Sequence, residues 1–386
     1  MRRRLIPYGN DPQLITPALT FARLRRRAKV NAGIGNESQR RYWNLKAYVL
    51  KGPGVLTAEE REIPRPGPTE VLIRVTNVGI CGSDIHLYKG TYNGPQNYPI
   101  LFGHEWSGIV EKTGDKVTKV KPGDKVTGDC SRYCGHCDNC SADRNLCRTI
   151  EKFGITIDGA SAEYILRDEQ YLYRADPEAD LALLALTEPI AVAKHLLEKI
   201  LKLGGSYQGK RVLIYGGGAI GQAALLLLRL YYGCEQVDLS DLIEYRTGLA
   251  RELGANIPPA EALKWELEND YPNMYNRTRY DVVIETTGVA PVFANGLNLL
   301  KPGGYLGCVG MIKTAEIPQK LIVTKSLTVT GSIGGTEEFE GVIAFIQENR
   351  DAVRKLISHV FPAAETDQAF AMATEASKAM KISIAL

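Results

Sequence analysis

Apolar positions in this chain follow two rhythms, one before about residue 176 and another after it. From Lys46 the texture is that of short strands: residues 45–50 form one run, and 70–78 alternate through Val71, Ile73 and Val75 after the Pro/Gly-rich turn 64–68. Period-two alternation is what a half-buried strand requires. The runs 108–112, 124–127 and 162–166 continue the pattern between Gly and Asp turns, which predicts a barrel-like β domain. Near Asp176 the period lengthens to that of a helix, through Leu181, Leu184, Ile190, Ala193, Leu197 and Ile200, closed by Gly204 and Gly205. An apolar strand at 211–215, a Gly-rich turn at 216–221, a helix over 222–232 and a strand at 236–239 make a βαβ unit. Strand-like runs at 280–285, 305–309 and 327–332 alternate with helical stretches and predict a doubly wound parallel sheet. A helix over 338–349 and a strand over 381–386 are expected to pack back on the first domain. The α/β organisation expected is a basic extension at 1–44, a β-rich domain at 45–188, a parallel-sheet domain at 189–335 and the return at 336–386.

With 44% hydrophobic and 24% charged residues over 386 positions, the chain has the mix of a globular protein of two or three domains, and disorder as the main theme is excluded. Its longest apolar runs are far short of the roughly 20 residues that cross a bilayer. Ten basic and two acidic residues give positions 1–45 a charge of +8 and leave the remainder at −5. A mildly acidic body argues against nucleic acid as the main partner. The Arg-rich start lacks the apolar core of a signal peptide. Three readings stand open for it: a flexible basic arm or an upstream start, attachment to a membrane surface or nucleic acid, and an import signal. Eight cysteines in so long a chain do not make a disulfide scaffold, and the expectation is a reducing, cytoplasmic compartment.

Four of those cysteines, Cys134, Cys137, Cys140 and Cys147, fall at spacings x2, x2 and x6. Turns through Gly135 and Asn139 can fold them round one tetrahedral zinc with Zn–S bonds of about 2.3 Å. With four thiolates and no open position, such a site is structural, and His136 between them is expected in solvent. Upstream lie Cys81-Gly82-Ser83-Asp84-Ile85-His86 and Gly103-His104-Glu105, a thiol and an imidazole that paired strands can bring together. Each alone fits an ordinary core residue. Glu188, in an apolar stretch at the domain junction, changes the odds, because a buried carboxylate needs a cation.

Gly216-Gly217-Gly218-Ala219-Ile220-Gly221 fits G-x-G-x-x-G directly after an apolar strand and before a helix, the context that makes the motif credible. N–H groups at the helix start can hold a pyrophosphate. Asp241, after the second strand, can accept hydrogen bonds from both adenine-ribose hydroxyls and would repel a 2′-phosphate, which points to NAD. Asp238 rivals it for that role, and Arg246 could accommodate the phosphate of NADP.

Together these residues resemble the zinc-dependent medium-chain alcohol dehydrogenase family from about residue 45 to 386. The resemblance implies a GroES-like β-barrel catalytic domain with two zincs and a Rossmann doubly wound cofactor domain inserted before its last part. It implies a catalytic zinc on Cys81, His104 and Glu188, with Glu105 as a carboxylate just behind the ligands or exchanging with them and Asp84 orienting His104. Ser83 and His86 fall where the family keeps its proton relay, and Glu285-Thr286-Thr287-Gly288 would flank the dinucleotide. Two loops depart from the family pattern: the last cysteine spacing is x6 rather than x7, and one extra residue precedes Asp241. Glutamate at 188 resembles the polyol branch of sorbitol and threonine dehydrogenases, and residues 103–108 with Cys130-Ser131 are similar to 2-deoxy-scyllo-inosamine dehydrogenases. The activity implied is NAD-dependent oxidation of a secondary alcohol in a polyol, sugar, cyclitol or amino alcohol. Alternatives are an NADPH-dependent zinc carbonyl reductase and a non-catalytic zinc- and dinucleotide-binding protein. Tyr88, Tyr92, Asn93 and Asn97 are candidates for substrate hydroxyls, and a homodimer or homotetramer through 327–332 is expected, without membrane or nucleic-acid partners.

Overall fold

In the computed structural model, which describes residues 44–264, 271–276 and 278–386, two β sheets from distant parts of the chain share one core. The basic segment 1–43, with its three readings, lies outside the described residues. The smaller sheet orders Val55–Glu62, Asn44–Gly52 and Ile100–Leu101. The larger runs Leu172–Arg174, Lys125–Gly128, Glu105–Thr113, Glu70–Ile80, Lys381–Ala385 and Ile357–Pro362, with Tyr164–Asp168 also paired to Glu70–Ile80. A bridge between Ala47 and Ala162 ties the two sheets. Val71, Ile73 and Val75, the alternating residues of the central strand, are buried as their period requires, and Val78 is buried beyond a register shift after Val75.

The second half is a five-stranded, wholly parallel sheet in the order Gln236–Ser240, Arg211–Tyr215, Tyr280–Glu285, Leu300–Cys308, Thr328–Gly331. Val212, Leu213 and Ile214 are all fully buried, because helices cover both faces. Strand order reverses at Arg211–Tyr215, so the crevice beyond the carboxyl ends of Arg211–Tyr215 and Tyr280–Glu285 is where such sheets take ligands.

Three local outcomes differ from the sequence reading. The single helix expected over 181–200 is two, Leu181–Leu184 and Thr187–Lys202. Pro189 lacks the N–H that a continuous helix would need and fits only a first turn, so a new helix starts at Thr187 and presents Glu188 from that turn. The helix after the Gly-rich turn begins at Ala219, so Ala219, Ile220 and Gly221 belong to its first turn, and it widens into a π segment at Leu227–Tyr231. Residues Gly82–Lys89, read as a motif without a helix, form one with Cys81 as its N-cap. Among the described residues no helix is long and apolar enough to cross a membrane.

Candidate metal and cofactor sites

The four-cysteine lobe is built locally. Gly135 takes a φ of 77°, which turns the chain between Cys134 and Cys137, and Cys137 caps the short helix Asp138–Ala142 that carries Cys140. The four sulfur atoms lie within 4.8 Å of one another, a separation a single ion can bridge with small adjustments. Tyr133, Phe153 and Tyr171 join Cys140 and Cys147 in a small cluster of buried residues here, so a bound metal would add substantially to what holds the lobe. His136 is exposed, as expected.

The second cluster is assembled from remote segments. Strands Glu70–Ile80 and Glu105–Thr113 pair antiparallel with Gly79 opposite Glu105, which sets Cys81 beside His104. Donor atoms of Cys81, His104 and Glu105 lie within 4.8 Å of one another. Burial works against a charged His104, yet the negative groups of Cys81, Asp84 and Glu188 raise its pKa well above the ordinary histidine value. Burial raises the pKa of Glu188 as well; the charge of His104 opposes this, and the neighbouring Glu105 carboxylate adds to it. Glu188 thus faces His104 but stands outside the close trio.

One role implied by the resemblance is changed, and a second gains a partner. Asp84, fully buried, accepts N–H bonds from Cys81 (2.8 Å) and Gly103 (3.2 Å), so it fixes the two loop backbones and makes no hydrogen bond to the imidazole. His104 Nδ1 is left as a buried nitrogen without a partner. Glu105, whose donor oxygen lies within ligand reach of Cys81 and His104, also has both oxygens 2.6 Å from Lys381 Nζ. A thiol, an imidazole with an orphaned nitrogen and two buried carboxylates form a donor set that fits zinc.

Ser83 Oγ lies 3.4 Å from His104 Nε2, and His86 Nδ1 is 2.9 Å from Thr91 Oγ1 at the exposed end of the same helix. Ser83 and His86, with Tyr92 and Asn93, line a cavity of about 860 Å³ whose far wall is Thr286, Thr287 and Gly288. Tyr88 instead packs against Phe370, and Asn97 donates to the Thr156 carbonyl, so neither lines that cavity.

The Gly-rich turn behaves as its sequence suggests. Gly216 has a φ of 98°, and a Cβ there would come within 2.4 Å of Thr286 Oγ1. A Cβ at Gly221 would lie 1.8 Å from the Gly216 carbonyl oxygen, so only glycine lets the helix approach the turn. Gly218, the N-cap, faces open space in a cavity of about 890 Å³ shared with Asp241, Arg246, Thr286 and Thr287. Asp241 accepts from Gly217 N (2.7 Å) and Ile243 N (2.8 Å) and lies 3.5 Å from Arg246. Its rival Asp238 is buried and spent on Arg211, Asn256 and Tyr280. Thr286 and Thr287 border both cavities, so an extended dinucleotide has a route from Asp241 to Ser83.

Lys381 was missed in the sequence, although a lysine heading an otherwise apolar strand was a signal. Lys194 and His195 were missed too. They sit inside the junction helix, where His195 Nε2 meets Asp143 of the lobe at 3.1 Å and Lys194 meets Glu338 at 2.6 Å.

Residues 67–177 match the alcohol dehydrogenase GroES-like domain, and residues 219–348 match the zinc-binding dehydrogenase domain. The L-threonine 3-dehydrogenase of Deinococcus deserti is 32% identical over 319 residues, covering 81% of this chain and 90% of that protein. The sorbitol dehydrogenase of Halalkalibacterium halodurans is 30% identical, covering 86% of this chain and 96% of its own length. A Sinorhizobium meliloti protein bound to NADP, provisionally assigned as a zinc-binding dehydrogenase, superposes with a TM-score of 0.77 at 30% identity, covering 89% of this chain and 99% of that one. The two-sheet catalytic half, the parallel cofactor half and these relationships agree: the chain belongs to the zinc-dependent medium-chain alcohol dehydrogenase family, and it is a dehydrogenase.

Proposed function

We propose that this enzyme oxidises a secondary alcohol of a small polyhydroxylated substrate, a polyol, sugar, cyclitol or amino alcohol, with NAD as the hydride acceptor. The observation that carries the reading is the cavity with Ser83 and His86 on one wall and the Thr286–Gly288 turn on the other. Cys81, His104 and Glu188 would hold one zinc, which when bound would supply Lewis acidity in the cleft, and Cys134, Cys137, Cys140 and Cys147 would hold a second that is structural. Ser83, beside His104, is placed to take the hydroxyl proton, and His86, exposed and bonded to Thr91, is placed to pass it to solvent. Tyr92 and Asn93 offer hydrogen bonds to further hydroxyls.

NAD is favoured because the Asp241 carboxylate stands at the end of the second strand, where it would repel a 2′-phosphate and already draws on the charge of Arg246. Arg246, whose Nε has no partner, supports a second reading, carbonyl reduction with NADPH. Both are told apart by NADH formation over a panel of polyols, cyclitols, amino alcohols and simple alcohols, repeated with NADP and after chelation. Chelator-sensitive reduction of NAD by one polyhydroxylated class is the expected result; a higher kcat/KM with NADP would overturn the cofactor assignment. We also read a homodimer or homotetramer through Thr328–Gly331, which ends the parallel sheet and exposes Val329.

A further inference from the structure

The chain returns from the cofactor half to the catalytic half through residues 332–338, beginning at Gly331 and Ser332, which line the cleft cavity. That crossover is gripped from the catalytic side. Asn145 Oδ1 of the lobe accepts from Thr336 N (3.3 Å) and Thr336 Oγ1 (3.0 Å). Tyr173, stacked on Phe339 at 4.8 Å, places its hydroxyl 2.9 Å from the Thr336 carbonyl oxygen and 3.1 Å from Asp129 Oδ2. Asp129 follows the strand Lys125–Gly128, which pairs with the strand of Tyr173; it is 1% exposed, and its other oxygen, Oδ1, has no partner.

Counting hydrogens distinguishes the two states of this pair. Burial, then the charge of Asp129, holds the Tyr173 phenol well above its ordinary pKa, so it keeps its one hydrogen. With Asp129 ionised, that hydrogen faces two acceptors, and either the buried carboxylate or the Thr336 carbonyl goes without it. With Asp129 protonated, its hydroxyl donates to Tyr173 Oη and Tyr173 donates to the Thr336 carbonyl, so one unbroken chain serves both. The Thr336 hydroxyl also faces Asp129, but its hydrogen goes to Asn145. The titratable and charged groups around Asp129 are Cys130, Tyr133, Tyr171, Tyr173, Arg144 and Lys152. Burial pushes its carboxyl up to about 7, against the pull of Thr336, Tyr173, Arg144 and Lys152.

We propose that Asp129, in its protonated form, is a positioning residue that latches the crossover to the catalytic half through Tyr173 and the Thr336 carbonyl, and that loss of its proton loosens the crossover and the cleft wall continuous with it. Because the folded value lies above the ordinary carboxylate value of about 4, the contribution is complete below about 4 and is lost as pH rises through the folded value.

The test compares the wild-type holoenzyme with Asp129→Asn, whose neutral amide can still donate to Tyr173, and with Tyr173→Phe, which breaks the chain. Two rates are read at about pH 6 and about pH 8.5: amide exchange over 332–338, corrected for the intrinsic effect of pH, and release of whichever of NADH and NADPH the wild type binds. In the wild type both should be about fivefold faster at the higher pH, the worth of one hydrogen bond. Asp129→Asn should stay slow at both, apart from any share that His195, 3.6 Å from Glu338, contributes and His195→Gln removes. Tyr173→Phe should be fast at both. A purely structural carboxylate predicts instead a less stable Asp129→Asn with the wild-type pH profile. Asp129→Asn that keeps that profile, or Tyr173→Phe as protected as wild type at the lower pH, would overturn the proposal. Should either variant not fold, the isotope-edited infrared spectrum of the wild type decides: a buried protonated carboxyl that ionises in step with the faster exchange supports the latch, and carboxyls ionised throughout refute it.

Discussion

The two candidate metal clusters of this protein are made in opposite ways. The lobe draws four like donors from one short loop, Cys134 to Cys147, over a small cluster of buried residues. The other draws a thiol, an imidazole and carboxylates from strands and a helix brought together by long-range pairing, on a sheet whose core is extensive without any metal. In the lobe, binding metal is expected to be largely folding; in the cleft, folding is expected to come first and metal to bind a finished surface. The difference gives each cluster its own failure.

The sharpest way to break the contrast is Cys81→Ser. Turnover should fall by at least about 100-fold, given that Lewis-acid stabilisation is worth several kcal/mol, while thermal unfolding stays close to wild type. Metal analysis with a melting curve checks it, and an unfolded variant would show that the cleft site is structural after all. Cys140→Ser should do the reverse, costing several kcal/mol of stability through loss of the lobe's metal, with turnover failing only as the protein unfolds. Smaller still is chelation at neutral pH: activity should disappear before the circular dichroism changes and return with zinc, because the cleft site keeps an open position and the lobe does not. Simultaneous loss of both signals would count against two separable sites.

The smallest effect concerns the joint between the regions. His195, buried between Asp143 of the lobe and Glu338, has its pKa raised: burial opposes the charge, but Glu338 and Asp143 outweigh it. Its contribution is thus complete below about 6.5, the ordinary histidine value, and is lost as pH rises through the higher folded value. The melting temperature should fall across that window, and His195→Gln should flatten the dependence and cost about 1–3 kcal/mol at pH 6. A variant with an unchanged pH profile would remove His195 from the joint.

How far each site could be read from the sequence follows the same divide. The four cysteines, the Gly216–Gly221 motif and the strand before it were legible because their meaning lies within a few turns of chain. Asp241 and Asp238 could not be ranked from spacing alone, since what separates them is that Asp238 is buried against Arg211, Asn256 and Tyr280. Asp84 looked like a partner for His104, but two backbone N–H groups claim it, one of them created by a helix start the pattern did not reveal. Lys381 meets Glu105 across 276 positions of sequence, and only sheet register brings them together. Pro189 was visible in the sequence, yet its effect, restarting the helix so that Glu188 lies in a first turn, depended on where that helix packs.

The pairing of Ile382 with Ile80 has a consequence in time. Between those residues lies the whole five-stranded parallel sheet, whose strands run from Arg211 to Gly331. Closing so long a loop in an open chain is slow and entropically costly, and a nested sheet that forms first shortens it. Assembly is therefore expected to have an order: the dinucleotide half condenses early, the C-terminal strand docks late, and the cleft gains the lysine that pairs with Glu105 only when that last strand is in register.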